Sequence, residues 1–203
     1  KTNTKDGGSV KISQKSNYPW DGDITLDIEE VPDGNFGIFL RIPGWSRNAE
    51  IRVNGKEYKA TAKPGSYLQL NENWKKGDKI QLKLPMPVER MQANPLVEEA
   101  KNQVAIKRGP LVYCLETEED NSCYSINNIL LDIDSDFTPE EESIDNRNIL
   151  ALKAKAFCRN ENWENALYKP MDFDAGENFD VKLIPYYAWG NRGYNEMSVW
   201  LPY

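Results

Sequence analysis

The stretch AEIRVNGKEYKA, residues 49–60, decides the fold of this chain. Its Asn54-Gly55 pair lies between two segments in which apolar and polar residues alternate. Both central residues of a type I′ turn need a positive φ, and Asn-Gly adopts such a turn readily. The stretch therefore predicts a β-hairpin, with antiparallel sheet around it.

The segments on either side of this hairpin alternate with the period of a half-buried β-strand. They are GDITLDIEEV (22–31) and NFGIFLRIPGW (35–45) upstream, and SYLQLN (66–71) and KIQLKLPM (79–86) downstream. Residues 9–90 are thus expected to hold about six strands, at the spacing of a β-sandwich. The positions predicted to face inward are Ile24, Leu26, Ile28, Phe36, Ile38, Leu40, Ile42, Leu68, Leu70, Ile80, Leu82 and Leu84.

The second half of the chain repeats this pattern around an acidic segment. Strands are predicted within 103–116, 148–158, 178–189 and 196–203, and 148–158 could instead form a short helix on propensity. Residues 117–148 look irregular, and Thr138, which precedes Pro139 and three glutamates, suits the N-cap of a short helical turn. The fold is predicted to be all-β. Two consecutive antiparallel, jelly-roll-like β-sandwich domains are expected at 1–92 and 93–203, the second with an acidic irregular insert at about 117–148.

Composition excludes several classes of function. The chain has 203 residues, a net charge of −7 and no histidine. An acidic surface repels phosphates, so no nucleic-acid partner is expected, and no apolar run is long enough to span a membrane. Without histidine, catalysis by Ser-His-Asp or Cys-His groups and zinc binding through histidine are excluded.

The cysteines form neither a disulfide framework nor a Cys-x-x-Cys metal site. Cys114, Cys123 and Cys158 are an odd set. Buried free thiols are the simpler interpretation, and a Cys114–Cys123 bridge is left open for an oxidising compartment.

Aromatic side chains near turns are the candidate contact residues. Trp20 and Asp21 in YPWDGDI could grip a sugar, or could form a β-turn with Trp20 packed inward. Trp45, Trp74 and Trp189 could be exposed platforms for sugar rings, or could cap the ends of a sandwich. The terminal segment LIPYYAWGNRG (183–193) adds Tyr186 and Tyr187, which would serve the core, a domain contact or a sugar.

Five segments in order resemble one family. They are YPWDGDITLDI, FLRIPGWSRNAEIRVNGKEY, GSYLQLNENWKKGDKIQLKLPM, VAIKRGPLVYCLE and LIPYYAWGNRGYNEMSVWLP. Together they are similar to the C-terminal β-sandwich region of the bacterial β-L-arabinofuranosidases, glycoside hydrolase family 127. The resemblance covers nearly the whole chain except 117–148.

The resemblance implies an accessory role for this chain. In the family an (α/α)6 barrel precedes the sandwiches and carries the catalysis, with a zinc-bound cysteine nucleophile and glutamate and cysteine ligands. The adjacent cysteine pair of that barrel has no counterpart among the isolated Cys114, Cys123 and Cys158. No catalytic, cofactor or metal residue is therefore assigned here, and zinc is expected only in the catalytic domain of a larger parent enzyme.

The expected partners follow from the same resemblance. We expect the chain to be a fragment that supports the parent's own catalytic barrel, with plant-type glycans as the parent's substrates. A periplasmic or secreted location is favoured over the cytoplasm. The alternatives are an autonomous carbohydrate-binding module that uses Trp20, Trp45 or Trp189, and a self-sufficient hydrolase with two carboxylates.

Overall fold

The computed structural model of the chain describes residues 2–3, 8–32, 36–117, 123, 125–159, 166–170, 176–191, 193 and 195–203. The chain divides into two compact units, Lys1–Pro87 and Val88–Tyr203. The described helices are three-residue 3-10 turns, Glu98–Ala100, Ile126–Asn128 and Tyr186–Ala188. None is long and apolar enough to cross a membrane. The prediction of an all-β fold is confirmed.

The first unit contains two antiparallel sheets. Its strands are β1 Thr2–Asn3, β2 Ser9–Ser16, β3 Asp23–Glu30, β4 Phe36–Arg41, β5 Glu50–Val53, β6 Lys56–Glu57, β7 Tyr67–Glu72 and β8 Lys79–Lys83. One sheet has the order β1-β2-β3-β8-β5-β6, and the other is the pair β4-β7. Between them lies a core of Ile28, Ile38, Leu40, Ile42, Ile51, Leu70, Trp74, Ile80, Leu82 and Leu84.

The hairpin predicted from Asn54-Gly55 is present. β5 pairs with β6 through Val53 and Lys56, and Asn54 and Gly55 have φ of 52° and 78°. The Asn54 side chain adds a tie to the neighbouring turn, because its Nδ2 donates to Asp78 Oδ1 at 3.0 Å. The hairpin therefore fixes the edge of the larger sheet beside β8.

The second unit is a single branched, curved sheet. Its strands are β9 Val88–Gln92, β10 Gln103–Arg108, β11 Leu111–Glu116, β12 Ile129–Leu131, β13 Thr138–Ile144, β14 Arg147–Cys158, β15 Asn178–Pro185, β16 Met197–Ser198 and β17 Leu201–Pro202. The main path is β12-β14-β15-β11-β10-β17, and β12 also lies against β17. β9 pairs with β10 over its whole length, so residues 88–92, assigned to the first domain from sequence, join this sheet. Jelly-roll connectivity stays a prediction.

The acidic segment is more regular than its composition indicates. The helical turn predicted after Thr138 is wrong, because Thr138–Ile144 is strand β13 and pairs with β14 along its whole length. Asp145 and Asn146, both with positive φ, form the tight turn between these strands. Cross-strand pairing has overridden the helix propensity of the glutamates. The stretch 118–122 and Tyr124 lie outside the described residues.

The expected cysteine chemistry is also corrected. Cys123 and Cys158 form a disulfide with a Cα–Cα distance of 5.7 Å. Cys114 lies outside this bond and is buried in β11. The pairing brings together residues that are 35 positions apart, which spacing alone cannot select from three cysteines.

Candidate functional site

The turn that carries Trp20 and Asp21 is organised by its own backbone. The Trp20 N–H donates to Asn17 O at 2.9 Å, and Asp21 Oδ1 accepts from the Asp23 N–H at 3.0 Å. Both side chains are half-buried. This is the hydrogen bonding of an Asx turn, so the local geometry favours the β-turn interpretation. A sugar contact at these two residues stays a prediction.

Two other tryptophans of the first unit belong to its core or core margin. Trp45 is half-buried and packs against the core. The interpretation of Trp74 as an exposed platform is wrong, because it is 6% exposed and its indole N–H donates to Phe36 O at 3.1 Å. A buried indole N–H needs such an acceptor, and the carbonyl of Phe36, the first residue of β4, supplies it.

The remaining predicted residues lie together in the second unit, on a surface that we call the aromatic ledge, defined by Tyr186, Tyr187 and Trp189. Pro185 ends β15 and begins a 3-10 turn whose Ala188 is buried. The Trp189 N–H donates to Tyr186 O at 3.2 Å, and Asn191 Nδ2 donates to Ala188 O at 2.9 Å. The turn thus presents the rings outward on a hydrogen-bonded support.

The ledge exposes a large aromatic area. Tyr186, Tyr187 and Trp189 are 49%, 55% and 40% exposed. Two open grooves adjoin it, of about 690 Å³ beside Tyr186 and about 860 Å³ beside Trp189. Their shared lining residues are Ile126, Asn127 and Met197, and the first groove adds Arg159 and Trp200. Aromatic residues, Met and Arg are the types enriched at protein interfaces.

The wall of the second groove is fixed by a buried carboxylate. Glu116 is 3% exposed, and its Oε1 accepts from Asn195 Nδ2 at 3.2 Å. Next to it, the Thr117 N–H donates to Glu196 O at 3.0 Å, and Thr117 Oγ1 accepts from the Glu196 N–H at 3.2 Å. These bonds hold the segment that leads into the last strands against the end of β11.

Tyr113 lies buried within the same unit. It is fully buried on β11, opposite Pro185, and among the described residues its hydroxyl has no hydrogen-bond partner. Burial raises the pKa of Tyr113 to about 12, with Arg108 acting in the opposite direction and Tyr187 adding to the rise. The fold therefore favours the neutral phenol.

This shift predicts a loss of stability at alkaline pH. The contribution of the neutral Tyr113 to folding stability is complete below pH 10, where the tyrosine of the unfolded state is also protonated. Between pH 10 and 12 the unfolded state releases its proton first, so this contribution is lost as the pH rises. Two pKa units correspond to about 3 kcal/mol. Urea unfolding between pH 9.5 and 12 should therefore show a steeper loss in the wild type than in Tyr113→Phe. Parallel curves would refute the assignment.

The surface carboxylates do not resemble glycosidase acids. The Asp180 carboxylate pairs with Lys155 Nζ at 2.6 Å and with Lys153 Nζ at 3.0 Å. The hydrogen bond from Lys155, followed by that from Lys153, lowers the pKa of Asp180. Glu29 is paired with Lys11, whose hydrogen bond lowers the pKa of the carboxyl. A general acid needs a raised pKa, so neither group is suited to be the general acid of the two-carboxylate mechanism.

The described residues do not fit a zinc site. Within them, no group of three or more His, Cys, Asp or Glu side chains could hold a metal ion. Two of the three cysteines are moreover joined to each other, and a disulfide supplies no thiolate to bind zinc.

Sequence reasoning missed Glu116, Arg159 and Trp200 as residues near the ledge. The sequence could have indicated Glu116, since it is a charged residue at the end of the apolar run in LVYCLE. Arg159 and Trp200 had none, because their neighbourhood depends on strands distant in sequence.

Comparison with known families assigns both units. Residues 1–86 match the family model described as "Beta-L-arabinofuranosidase, GH127 middle domain", and residues 88–202 match the "Glycoside hydrolase family 127 C-terminal domain". Both matches agree with the division of the chain near residue 87.

Individual relatives are similar over nearly all of this chain. The non-reducing end β-L-arabinofuranosidase of Bifidobacterium longum subsp. longum is 33% identical over 94% of this chain and 30% of that protein. A solved structure titled glycoside hydrolase has a TM-score of 0.92 at 44% identity, over 99% of this chain and 33% of its own. The GH127 β-L-arabinofuranosidase Ara127N-Se of Geobacillus stearothermophilus T6 has a TM-score of 0.85 at 38% identity, over 99% of this chain and 31% of its own. The chain therefore spans about a third of the length of these relatives.

Proposed function

Because the chain belongs to glycoside hydrolase family 127, whose middle and C-terminal domains it comprises, we propose that it is a non-catalytic accessory region of a larger β-L-arabinofuranosidase-like enzyme. Its role is to support the parent's own catalytic domain, the (α/α)6 barrel that the family resemblance implies. The relatives are about three times as long as this chain, which leaves room for such a domain.

The aromatic ledge carries this proposal. One hydrogen-bonded turn carries three rings that are 40–55% exposed, and Tyr186 shares a groove with Arg159 and Met197. Contiguous exposed aromatic surface of this kind is typical of an interface, and Tyr, Trp and Arg are the residues that most often dominate binding energy. We therefore assign the ledge as the contact surface for the catalytic domain.

The parent's chemistry is inferred from its relatives. Their names support the release of L-arabinofuranose as the reaction of the whole enzyme, and plant-type glycans are the substrates that we expect from the family resemblance. Zinc is proposed only for the catalytic domain, because the described residues of this chain do not fit it. The Cys123–Cys158 bond supports a periplasmic or secreted location, since disulfides persist in oxidising compartments.

A carbohydrate-binding module is the second candidate function. Trp189 is 40% exposed beside a groove lined by Asn127 and Asn195, whose amides could bond sugar hydroxyls. The half-buried Trp20 and Trp45 support it less.

Substitution of the ledge should weaken docking without unfolding the chain. The probe is the part of the Geobacillus stearothermophilus enzyme that this chain does not match, produced as a separate polypeptide and titrated with this chain. Tyr186→Ala with Trp189→Ala should raise the Kd at least about 30-fold, since interface hot spots contribute about 2 kcal/mol or more. Tyr203→Ala, which removes a ring that is 50% exposed in the same unit, is the matched control. Equal affinity of the ledge variant and the control would refute this contact surface.

A further inference from the structure

The outward side of the β4-β7 sheet is a second exposed aromatic surface. Ile38, Leu40 and Leu70 point into the core, so their neighbours along each strand point away from it. We call this side the β4-β7 outer face, defined by Gly37, Phe39, Arg41, Tyr67, Gln69 and Asn71.

This face has an unusual composition for a solvated sheet. Phe39 is 59% and Tyr67 is 66% exposed. None of its six residues is Lys, Asp or Glu, whereas the exposed positions of β8 in the same unit are Lys79, Gln81 and Lys83. Contiguous exposed apolar surface commonly marks an interaction site, whereas a solvated face is usually polar or charged. Two rings kept in water on this face therefore point to a ligand.

The two rings lie close together and one is fixed in place. Phe39 is directly opposite Gln69, and Arg41 is opposite Tyr67, so Phe39 and Tyr67 occupy diagonal positions about 7–8 Å apart in a regular pair. The Arg41 guanidinium lies 5.3 Å from the centroid of the Tyr67 ring. Its Nη1 also donates to Ile42 O at 3.0 Å and to Ser66 O at 2.9 Å, which anchors the cation.

Hydrogen-bonding amides adjoin the rings. Gln69 Nε2 donates to Asn71 Oδ1 at 2.8 Å. Gln69 approaches Gly37 so closely that a Cβ on the glycine would lie 2.7 Å from Nε2. Beyond them opens a shallow cavity of about 310 Å³, lined by Phe36, Gly37, Asn71, Glu72 and Asn73. The absence of a side chain at Gly37 thus lets the amides of Gln69 and Asn71 lie close against β4, where they retain donors and acceptors for a ligand.

We propose that the β4-β7 outer face binds a neutral oligosaccharide. The apolar C–H faces of sugar rings would stack on Phe39 and Tyr67, and sugar hydroxyls would bond to the amides of Gln69 and Asn71. A neutral ligand fits because the one cation of the face is already engaged with Tyr67 and two carbonyls, and the Glu72 carboxylate at the adjoining cavity disfavours an acidic sugar. The site lies in the first unit, so it is independent of the docking role assigned to the ledge.

Calorimetric titration of the whole chain tests this inference. The probes are L-arabinose, linear neutral arabino-oligosaccharides and, as a charged comparison, oligogalacturonate. We expect saturable binding of the neutral oligosaccharide, at least about tenfold weaker in Phe39→Ala or Tyr67→Ala and absent in the double variant. Tyr67→Phe, which keeps the ring, should retain most of the affinity. Both side chains are exposed, so thermal unfolding should be unchanged in all variants.

The matched control is Tyr203→Ala in the second unit, which removes a ring that is 50% exposed and should leave oligosaccharide binding like that of the wild type. Loss of binding in Trp189→Ala, with the Phe39/Tyr67 double variant binding like the wild type, would move the sugar site to the ledge and overturn the inference. Absence of heat with every neutral sugar, or equal binding by wild type and the Phe39/Tyr67 double variant, would overturn the inference alone. Preference for oligogalacturonate would also contradict it.

Discussion

Replacement of Cys123 and Cys158 by alanine should lower the free energy of unfolding by about 4 kcal/mol under oxidising conditions. The bond joins residues separated by 35 positions, and it restricts the unfolded chain over that loop. It also ties Cys123, which is 2% exposed, to the end of β14, where β12 pairs. For a domain whose total stability is about 5–15 kcal/mol, this is a large share.

Denaturant unfolding with and without reductant separates the bond from packing effects. Reduced wild type and the double variant should unfold at similar denaturant concentrations, and only the oxidised wild type should be more stable. A Cys114→Ala variant, which keeps the bond, should still respond to reductant. If oxidation leaves the unfolding midpoint of the wild type unchanged, the assigned disulfide does not stabilise the fold.

Gly22→Ala should destabilise the first unit by about 3 kcal/mol or more, as overpacking in a close contact does. A Cβ at this position would lie 1.9 Å from Leu84 O and 2.8 Å from the Leu84 carbonyl carbon. Relief by movement is restricted, because the Leu84 N–H donates to Gly22 O at 2.9 Å and the Leu84 side chain is buried in the core. The backbones must therefore separate, and this hydrogen bond must lengthen.

Gly44→Ala is the matched control, since no atom lies within 4 Å of a Cβ at that position. It should change the unfolding free energy by less than about 0.5 kcal/mol. Thermal or urea unfolding of the two variants beside wild type gives the comparison. Similar stability of the two variants would show that the close approach of Gly22 to Leu84 is not required.

The strand framework could be predicted because its signals are local. Alternation across Ile38, Leu40 and Ile42 marks one face of a strand whatever packs on it, and these residues are buried as expected. Asn54-Gly55 predicts its turn because the backbone of those two residues adopts positive φ at low cost. Asp145-Asn146 carried a similar signal between β13 and β14, and the run of glutamates before it concealed the strand.

Features that depend on distant residues could not be predicted. The partner of Cys158 is determined by how β12 and β14 pair, not by the spacing of cysteines. The burial of Trp74 depends on a carbonyl acceptor 38 residues away, at Phe36. The outward position of Phe39 followed from alternation. Its membership in an exposed aromatic surface depends on Tyr67, which lies on the neighbouring strand.

For the candidate contact residues, too, local features could be predicted and features that depend on distant residues could not. The aromatic and glycine-rich composition of LIPYYAWGNRG could be read from the sequence. The exposure of its rings could not be predicted, because a ring at the end of a strand can face the core or the solvent. The structure supplies that choice by burying Ala188 and turning Tyr186, Tyr187 and Trp189 outward.

The most direct test of the accessory role is turnover of a chromogenic β-L-arabinofuranoside by this chain alone, with and without added Zn²⁺, beside the complete Geobacillus stearothermophilus relative. The chain is predicted to release no arabinose above the uncatalysed rate under either condition, while remaining cooperatively folded. Turnover by the purified chain, lost on substitution of one of its own carboxylates or cysteines, would contradict the non-catalytic assignment.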